Sequence, residues 1–215
     1  MKMNTQQLIE TLGEDVPRVA PHALAQRIGI GIAAGGCVTT VLVTAVLGAR
    51  PDLPLAMHGF AFWMKWAYTI SLGVAACYSV AQLARPTDGS LRGLWLLVMP
   101  VLILTGIGIG EFARTPPAKW LAMWLGRSWM ICPWLVLTLA APIFVGLLWS
   151  FRQFAPTRLR AAGASAGLAA GTWAATIYGL HCPEASAMFV LTWYSLGIVA
   201  AAGAGALLGP RLMRW

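Results

Sequence analysis

Six stretches of about twenty mainly apolar residues, each long enough to cross a bilayer as a helix, leave this chain few folds to choose from. They run Ile28 to Gly48, Phe62 to Leu83, Leu94 to Gly110, Trp129 to Trp149, Ala161 to Leu180 and Ala187 to Leu208. In hydrocarbon every backbone N–H and C=O must find its partner inside the protein, so segments of this kind become helices. With 59% hydrophobic and 10% charged residues and a mean hydropathy of +0.72, the chain lies outside the balance of a soluble domain. The sequence therefore predicts an all-α polytopic membrane protein, with a tail over residues 1–26 and six transmembrane helices over residues 27–215. Little polypeptide remains between the segments, so any chemistry must sit on helix ends, short loops or the bundle interior. The first segment does not read as a cleavable signal peptide, because a long polar stretch precedes it and its apolar run exceeds the ~7 to 15 residues of such a peptide.

The net charge of +8 is not a nucleic-acid signature, since Lys and Arg gather at segment ends and no direct nucleic-acid contact is expected. Placing the amino terminus inside puts Lys2, Arg18, Arg27, Arg85, Arg92, Arg152, Arg158, Arg160, Arg211 and Arg214 on the inner side. Arg50, Lys65, Arg114, Lys119 and Arg127 then fall outside. The excess of inner positive charge predicts that both termini are cytoplasmic.

In the tail, Thr5 can cap a short helix that puts Leu8, Ile9 and Leu12 on one face, with Gln6, Gln7, Glu10 and Thr11 opposite. Gly13 and Pro17 end it. Glu10, Glu14 and Asp15 outnumber Lys2 and Arg18, and an acidic tail is repelled by anionic headgroups. Leu8, Ile9, Leu12, Glu10, Glu14 and Asp15 thus read as a docking surface for a soluble partner, with an interfacial helix as the alternative.

Gly163, Gly167 and Gly171 make a smooth stripe at four-residue spacing, suited to packing inside the bundle or to homo-oligomerisation through the fifth segment. Lys65, just inside the second segment, could pair with Glu111 beyond the third or snorkel to the interface. The many Trp residues near segment boundaries read as an aromatic belt, and Pro142 as a kink in the fourth segment.

Chemistry concentrates at two places. His181-Cys182-Pro183-Glu184 brings imidazole, thiol and carboxylate together between the fifth and sixth segments, and Cys132 opens the fourth segment. On the topology above both thiols reach the outer boundary, where two nearby cysteines can be oxidised to a disulfide. His58, His181, Glu184 and Met130 lie on the same side and could support a soft metal, Cu, Cd or Zn, at Cys132 and Cys182. No cofactor is obligatory. Cys37 and Cys77 fall within apolar segments and read as packing residues. A membrane thiol–disulfide or quinone oxidoreductase is the enzymatic alternative, but it needs a second cysteine pair to relay electrons. No nucleotide loop, zinc-hydrolase spacing or run of intramembrane acids is present, so the chain is expected not to be an enzyme. A soft-metal binding membrane protein without a regulatory partner is the other alternative.

Arg50-Pro51-Asp52-Leu53, Phe62-Trp63-Met64-Lys65, Gly126 to Cys132, Ala155-Pro156-Thr157-Arg158, His181 to Glu184, Trp193 to Ile198 and Gly209 to Trp215 stand out as short distinctive stretches. Together they resemble the negative regulators of sigma-F, the NrsF family of bacterial integral-membrane anti-sigma factors. The likeness runs over nearly the whole length and is most specific at Trp129 to Cys132 and His181 to Glu184. It implies a six-helix protein of the bacterial inner membrane that holds an extracytoplasmic-function (ECF) sigma factor at the cytoplasmic face. Heavy-metal or oxidant stress at periplasmic Cys132 and Cys182 would then release that factor. The resemblance assigns no role to Cys37 or Cys77.

Overall fold

The computed structural model describes residues 23–83, 95–151 and 158–213, and all regular structure among them is helical. Six long helices follow one another: α1 (Ala23–Leu42, prolonged by a π-helical turn Val43–Leu47), α2 (Phe60–Leu83), α3 (Trp95–Arg114), α4 (Cys132–Phe151), α5 (Leu159–Tyr178) and α6 (Ser195–Leu212). A lead-in turn, Ala187–Phe189, and a second π-helical turn, Val190–Tyr194, run without a break into α6. Short helices at Leu53–Ala56 and Trp120–Leu125 lie in the connections. The tail residues proposed for docking, Leu8, Ile9, Glu10, Leu12, Glu14 and Asp15, lie outside the described residues.

Successive long helices alternate in direction, as hydrogen bonds between their ends show. Arg50 after α1 donates its N–H to Leu180 O after α5 (3.1 Å), and Ser186 before α6 donates its hydroxyl to the Glu111 carboxylate of α3 (3.0 Å). The end of α1, the start of α2, the end of α3, the start of α4, the end of α5 and the start of α6 therefore share one end of the bundle.

Small residues set the closest approaches. A Cβ built on Gly163 would overlap the Gly205 carbonyl, and one on Gly167 the Ala201 carbonyl, so α5 and α6 pack backbone to backbone. Gly31 and Gly35 of α1 meet Gly146 and Ile143 of α4 in the same way. Without a hydrophobic drive between helices in lipid, such close contact and interhelical hydrogen bonds hold a bundle together. Thr39 Oγ1 donates to Leu139 O (3.0 Å), Ser150 Oγ to Arg27 O (2.9 Å) and Thr176 Oγ1 to Thr69 Oγ1 (2.9 Å). The Gly163, Gly167 and Gly171 stripe is thus used within the chain, against α6, and presents no open face for a second copy.

Two expectations are corrected here. Among the described residues four helices, not six, are long and apolar enough to cross a membrane: Ala23–Leu47, Trp95–Arg114, Cys132–Phe151 and Ala187–Leu212. The other two, α2 and α5, are the most enclosed. Buried α5 positions include Ala162, Ser165, Ala166, Thr172 and Thr176, and those of α2 include Lys65, Thr69 and Ser79. Their composition answers to neighbouring helices rather than to lipid. The second correction concerns Cys37, which is exposed on α1 rather than packed; Cys77 does pack, accepting the Trp173 indole N–H at 3.4 Å.

Candidate functional site

The connection from α5 to α6, residues 179–186, is the hub of the shared end. Helix α5 closes on itself there, with Tyr178 O accepting the N–H groups of His181 (2.9 Å) and Cys182 (3.0 Å). This turns the Cys182 side chain inward, and the thiol is fully buried. Cys132 reaches the same spot from the first turn of α4, where its N–H is held by Ser128 O at 2.8 Å. The two free thiols, both 0% exposed, lie within interaction reach of one another.

Every neighbouring connection holds this hub. Lys65 of α2, 1% exposed, donates from Nζ to Cys182 O (3.0 Å) and Glu184 O (2.7 Å). Arg50, bridged to Asp52 at 2.6 Å, also reaches Cys182 O (3.5 Å). His181 Nδ1 lies 2.7 Å from Gly48 O. The Glu184 carboxylate accepts from Arg127 N–H (2.7 Å) and Ser128 Oγ (3.3 Å), clasping the turn that precedes Cys132. Gly126 makes room for that clasp: its φ is +56°, and a Cβ there would sit 2.6 Å from Glu184 Oε2.

Aromatic side chains close the site. The Tyr178 and Tyr194 rings meet at 5.7 Å, tilted by 44°, within reach of the sulfurs, while Trp193 packs against Trp124 and Trp129 in the turns on either side. The Tyr194 hydroxyl is wholly buried and, among the described residues, has no hydrogen-bond partner of good geometry, with the Cys182 sulfur within interaction reach. The π-helical turn Val190–Tyr194 places it there; such single turns are frequent at functional sites. An open cleft of about 720 Å³, walled in part by Leu121, Arg127, Pro183 and Glu184, adjoins the hub.

The electrostatics favour the thiolate form of Cys182. The Cys132 thiol hydrogen bond, the Lys65 ammonium, the Tyr194 hydroxyl and the Glu184 backbone N–H together hold the Cys182 thiol below its ordinary value, against the opposing effect of burial. A thiolate is the nucleophilic form, and adjacent positive charge is a recognised way to populate it.

The other sequence candidates are not gathered around the sulfurs. Met130 is 64% exposed, and His58 is exposed in the connection before α2. His181 and Glu184 are engaged with Gly48 and with residues 127–128. Among the described residues no group of three or more His, Cys, Asp or Glu could hold a metal ion. Structural Zn sites take four ligands, and the donors the structure gathers at this spot are the two thiols of Cys132 and Cys182. Lys65 neither pairs with Glu111 nor snorkels. Glu111 instead accepts from Ala187 N–H (2.8 Å) and Ser186 Oγ, capping the lead-in to α6.

An all-helical bundle with four helices apolar enough to span a bilayer and a buried dithiol at one end is the class of protein these observations define. The model of the family described as NrsF, negative regulator of sigma F, matches residues 12–215, and the chain belongs to that family. It is 38% identical over 215 residues to the anti-sigma-F factor NrsF of Caulobacter vibrioides, covering 99% of this chain and 100% of the relative. It is 36% identical over 216 residues to the probable anti-sigma-F factor NrsF of Azospira oryzae, again covering 99% and 100%. No solved structure matches the chain. Membership in this family makes the protein a regulator and not an enzyme.

Proposed function

We propose that this chain is an inner-membrane anti-sigma factor that sequesters a sigma factor of the extracytoplasmic-function type and releases it when Cys132 and Cys182 are oxidised by stress at the periplasmic face. The observation that carries this reading is the convergence of two buried thiols, about fifty residues apart in sequence, on one hub that touches every connection at that end of the bundle. A disulfide-class oxidant that takes up the two electrons and two protons converts the dithiol to a disulfide, which shortens the sulfur separation and pulls the start of α4 against the α5–α6 connection. Because α4 and α6 also meet at Gly197, where a Cβ would sit 2.8 Å from Val136 Cβ, a shift of one helix is felt by the other along its length.

In the proposed topology the four apolar helices span the bilayer, α2 and α5 run enclosed between them, and both termini are cytoplasmic. The alternation of direction supports it, as does the length of α2 and α5, 24 and 20 residues. The dithiol then faces the periplasm, and the sigma factor meets the opposite end together with the tail. Release needs little energy, since tenfold weaker binding corresponds to about 1.4 kcal/mol. Any signal that favours the non-binding arrangement by that much suffices.

The test is a reporter driven by the cognate sigma factor in cells carrying Cys132→Ser or Cys182→Ser. Loss of inducer-dependent expression with repression intact is expected; unchanged induction sinks the sensor assignment. A cysteine placed at exposed Arg127 and probed with an impermeant maleimide checks orientation, and labelling only from the cytosol would overturn it.

A further inference from the structure

We propose that Lys65 is the positioning residue of the dithiol: its buried ammonium holds the Cys182–Glu184 loop through two carbonyls and stands as the counter-charge to the Cys182 sulfur. It thereby sets the balance between dithiol and disulfide. The inference rests on the reading above, that this pair changes redox state, and adds the residue that tunes it.

A fully buried lysine is costly, by several kcal/mol for an ion out of water, so its surroundings must compensate. No carboxylate is within ion-pairing distance of Lys65 among the described residues, where the salt bridge found is Arg50 with Asp52. The three acids near the hub are hydrogen-bonded elsewhere, Glu111 by Ser186 and Ala187, Glu184 by Arg127 and Ser128 and Asp52 by Arg50, with Glu184 and Asp52 acting on Lys65 only at longer range. What faces Nζ instead is Cys182 O, Glu184 O and, within electrostatic reach, the Cys182 sulfur. The remaining groups around that sulfur are Cys132, the hydroxyls of Tyr178 and Tyr194, the Glu184 N–H and, further out, the Arg50 guanidinium. Lys65 is thus the buried cation of the site, placed on α2, an element that carries neither cysteine.

The charge acts on one redox state more than the other. When glutathione disulfide oxidises the pair, Cys132 and Cys182 give up two electrons and two protons and form one S–S bond. The glutathione S–S bond breaks, and two glutathione thiols carry the electrons and protons away. The product has no thiolate for Lys65 to stabilise. Its ammonium therefore favours the reduced form, and stabilising the reduced form makes a disulfide more oxidising.

The experiment is a glutathione redox titration of the full chain in detergent, in a Cys37→Ala, Cys77→Ala background, comparing wild type with Lys65→Gln and Lys65→Arg. Glutamine keeps N–H donors for the loop carbonyls but drops the charge. The expected result is a shift toward disulfide of about tenfold for Lys65→Gln, a potential lower by about 30 mV, with Lys65→Arg near wild type. A merely structural lysine predicts the opposite sign, because loosening the loop separates the cysteines and disfavours the disulfide. An unchanged or raised potential in Lys65→Gln overturns the proposal, and so does a shift of equal size in Lys65→Arg. If Lys65→Gln does not fold, wild type against Lys65→Arg with the Cys182→Ser difference in ultraviolet thiolate absorbance decides: no thiolate in either overturns the counter-charge. A wild-type pair that forms no disulfide at any glutathione ratio overturns the dithiol reading itself, an outcome distinct from all of these.

Discussion

Gly126→Ala is the substitution whose effect can be worked through most fully. Gly126 has φ +56° and ψ −163°, a region open in practice to glycine alone, and forcing alanine there costs about 1–3 kcal/mol. The new methyl would also meet the Glu184 carboxylate at 2.6 Å and Phe189 Cδ2 at 2.8 Å. Moving the carboxylate away sacrifices its bonds to Arg127 N–H and Ser128 Oγ, where a hydrogen bond to a charged group is worth about 1.5–3 kcal/mol. Both penalties fall on one clasp, so they do not simply add, and about 3 kcal/mol is a fair total. That energy is local, and it raises the population of an open turn before Cys132 by about a hundredfold. With Cys37 and Cys77 replaced by alanine, maleimide modification of Cys132 in detergent should accelerate by that order. Glu184→Gln, which keeps the backbone relaxed and weakens the clasp, should fall between the variant and wild type. A Gly126→Ala protein whose Cys132 reacts within threefold of the wild-type rate would refute the clasp.

Three further outcomes follow from the same geometry. Cys182 is held below the ordinary thiol range, so its thiolate persists at pH values where a free cysteine is protonated and is lost as the pH falls through the lowered value; the ultraviolet difference spectrum against Cys182→Ser should show this, and titration at the ordinary position would count against it. Gly167→Leu should separate α5 from α6, whose backbones meet there, costing at least the about 1–3 kcal/mol of overpacking and lowering the unfolding temperature; Gly203→Leu, with open space at its Cβ, should leave it unchanged. Deleting residues 1–13 should abolish co-purification of the sigma factor while membrane insertion is retained, and retained capture would rule out the tail as the docking element.

The helices were legible because a helical backbone is the one economical answer to twenty apolar residues in a row, and the glycine spacing marked the α5 seam in advance. The count of membrane-spanning candidates was not, since an enclosed helix such as α5 sheds its bulky apolar residues for Ala, Gly, Ser and Thr and so loses the signal that names a span. The two cysteines stood out as adjacent to boundaries. Lys65 stood out too, as a charge inside an apolar segment, but its partners are carbonyls 117 and 119 residues away, and no local pattern announces a backbone acceptor. Gly126 gave no sign at all: a glycine between Leu125 and Arg127 looks like an ordinary turn until φ is known. Tyr194 was hidden in an apolar run because the π-helical turn that swings it toward the sulfurs shifts the helical register by one residue.

The enclosure of α5 bears on how the molecule is made. A segment so rich in alanine and glycine partitions weakly into lipid by itself, yet its seam with α6 is the most extensive between the described helices. On the proposed topology it is best delivered as a hairpin, with α5 waiting at the translocation machinery until α6 emerges and the two enter together. Assembly of the hub, which needs the connection between them, would then be among the last events of biogenesis, so that the dithiol is enclosed only once both closing helices are in place.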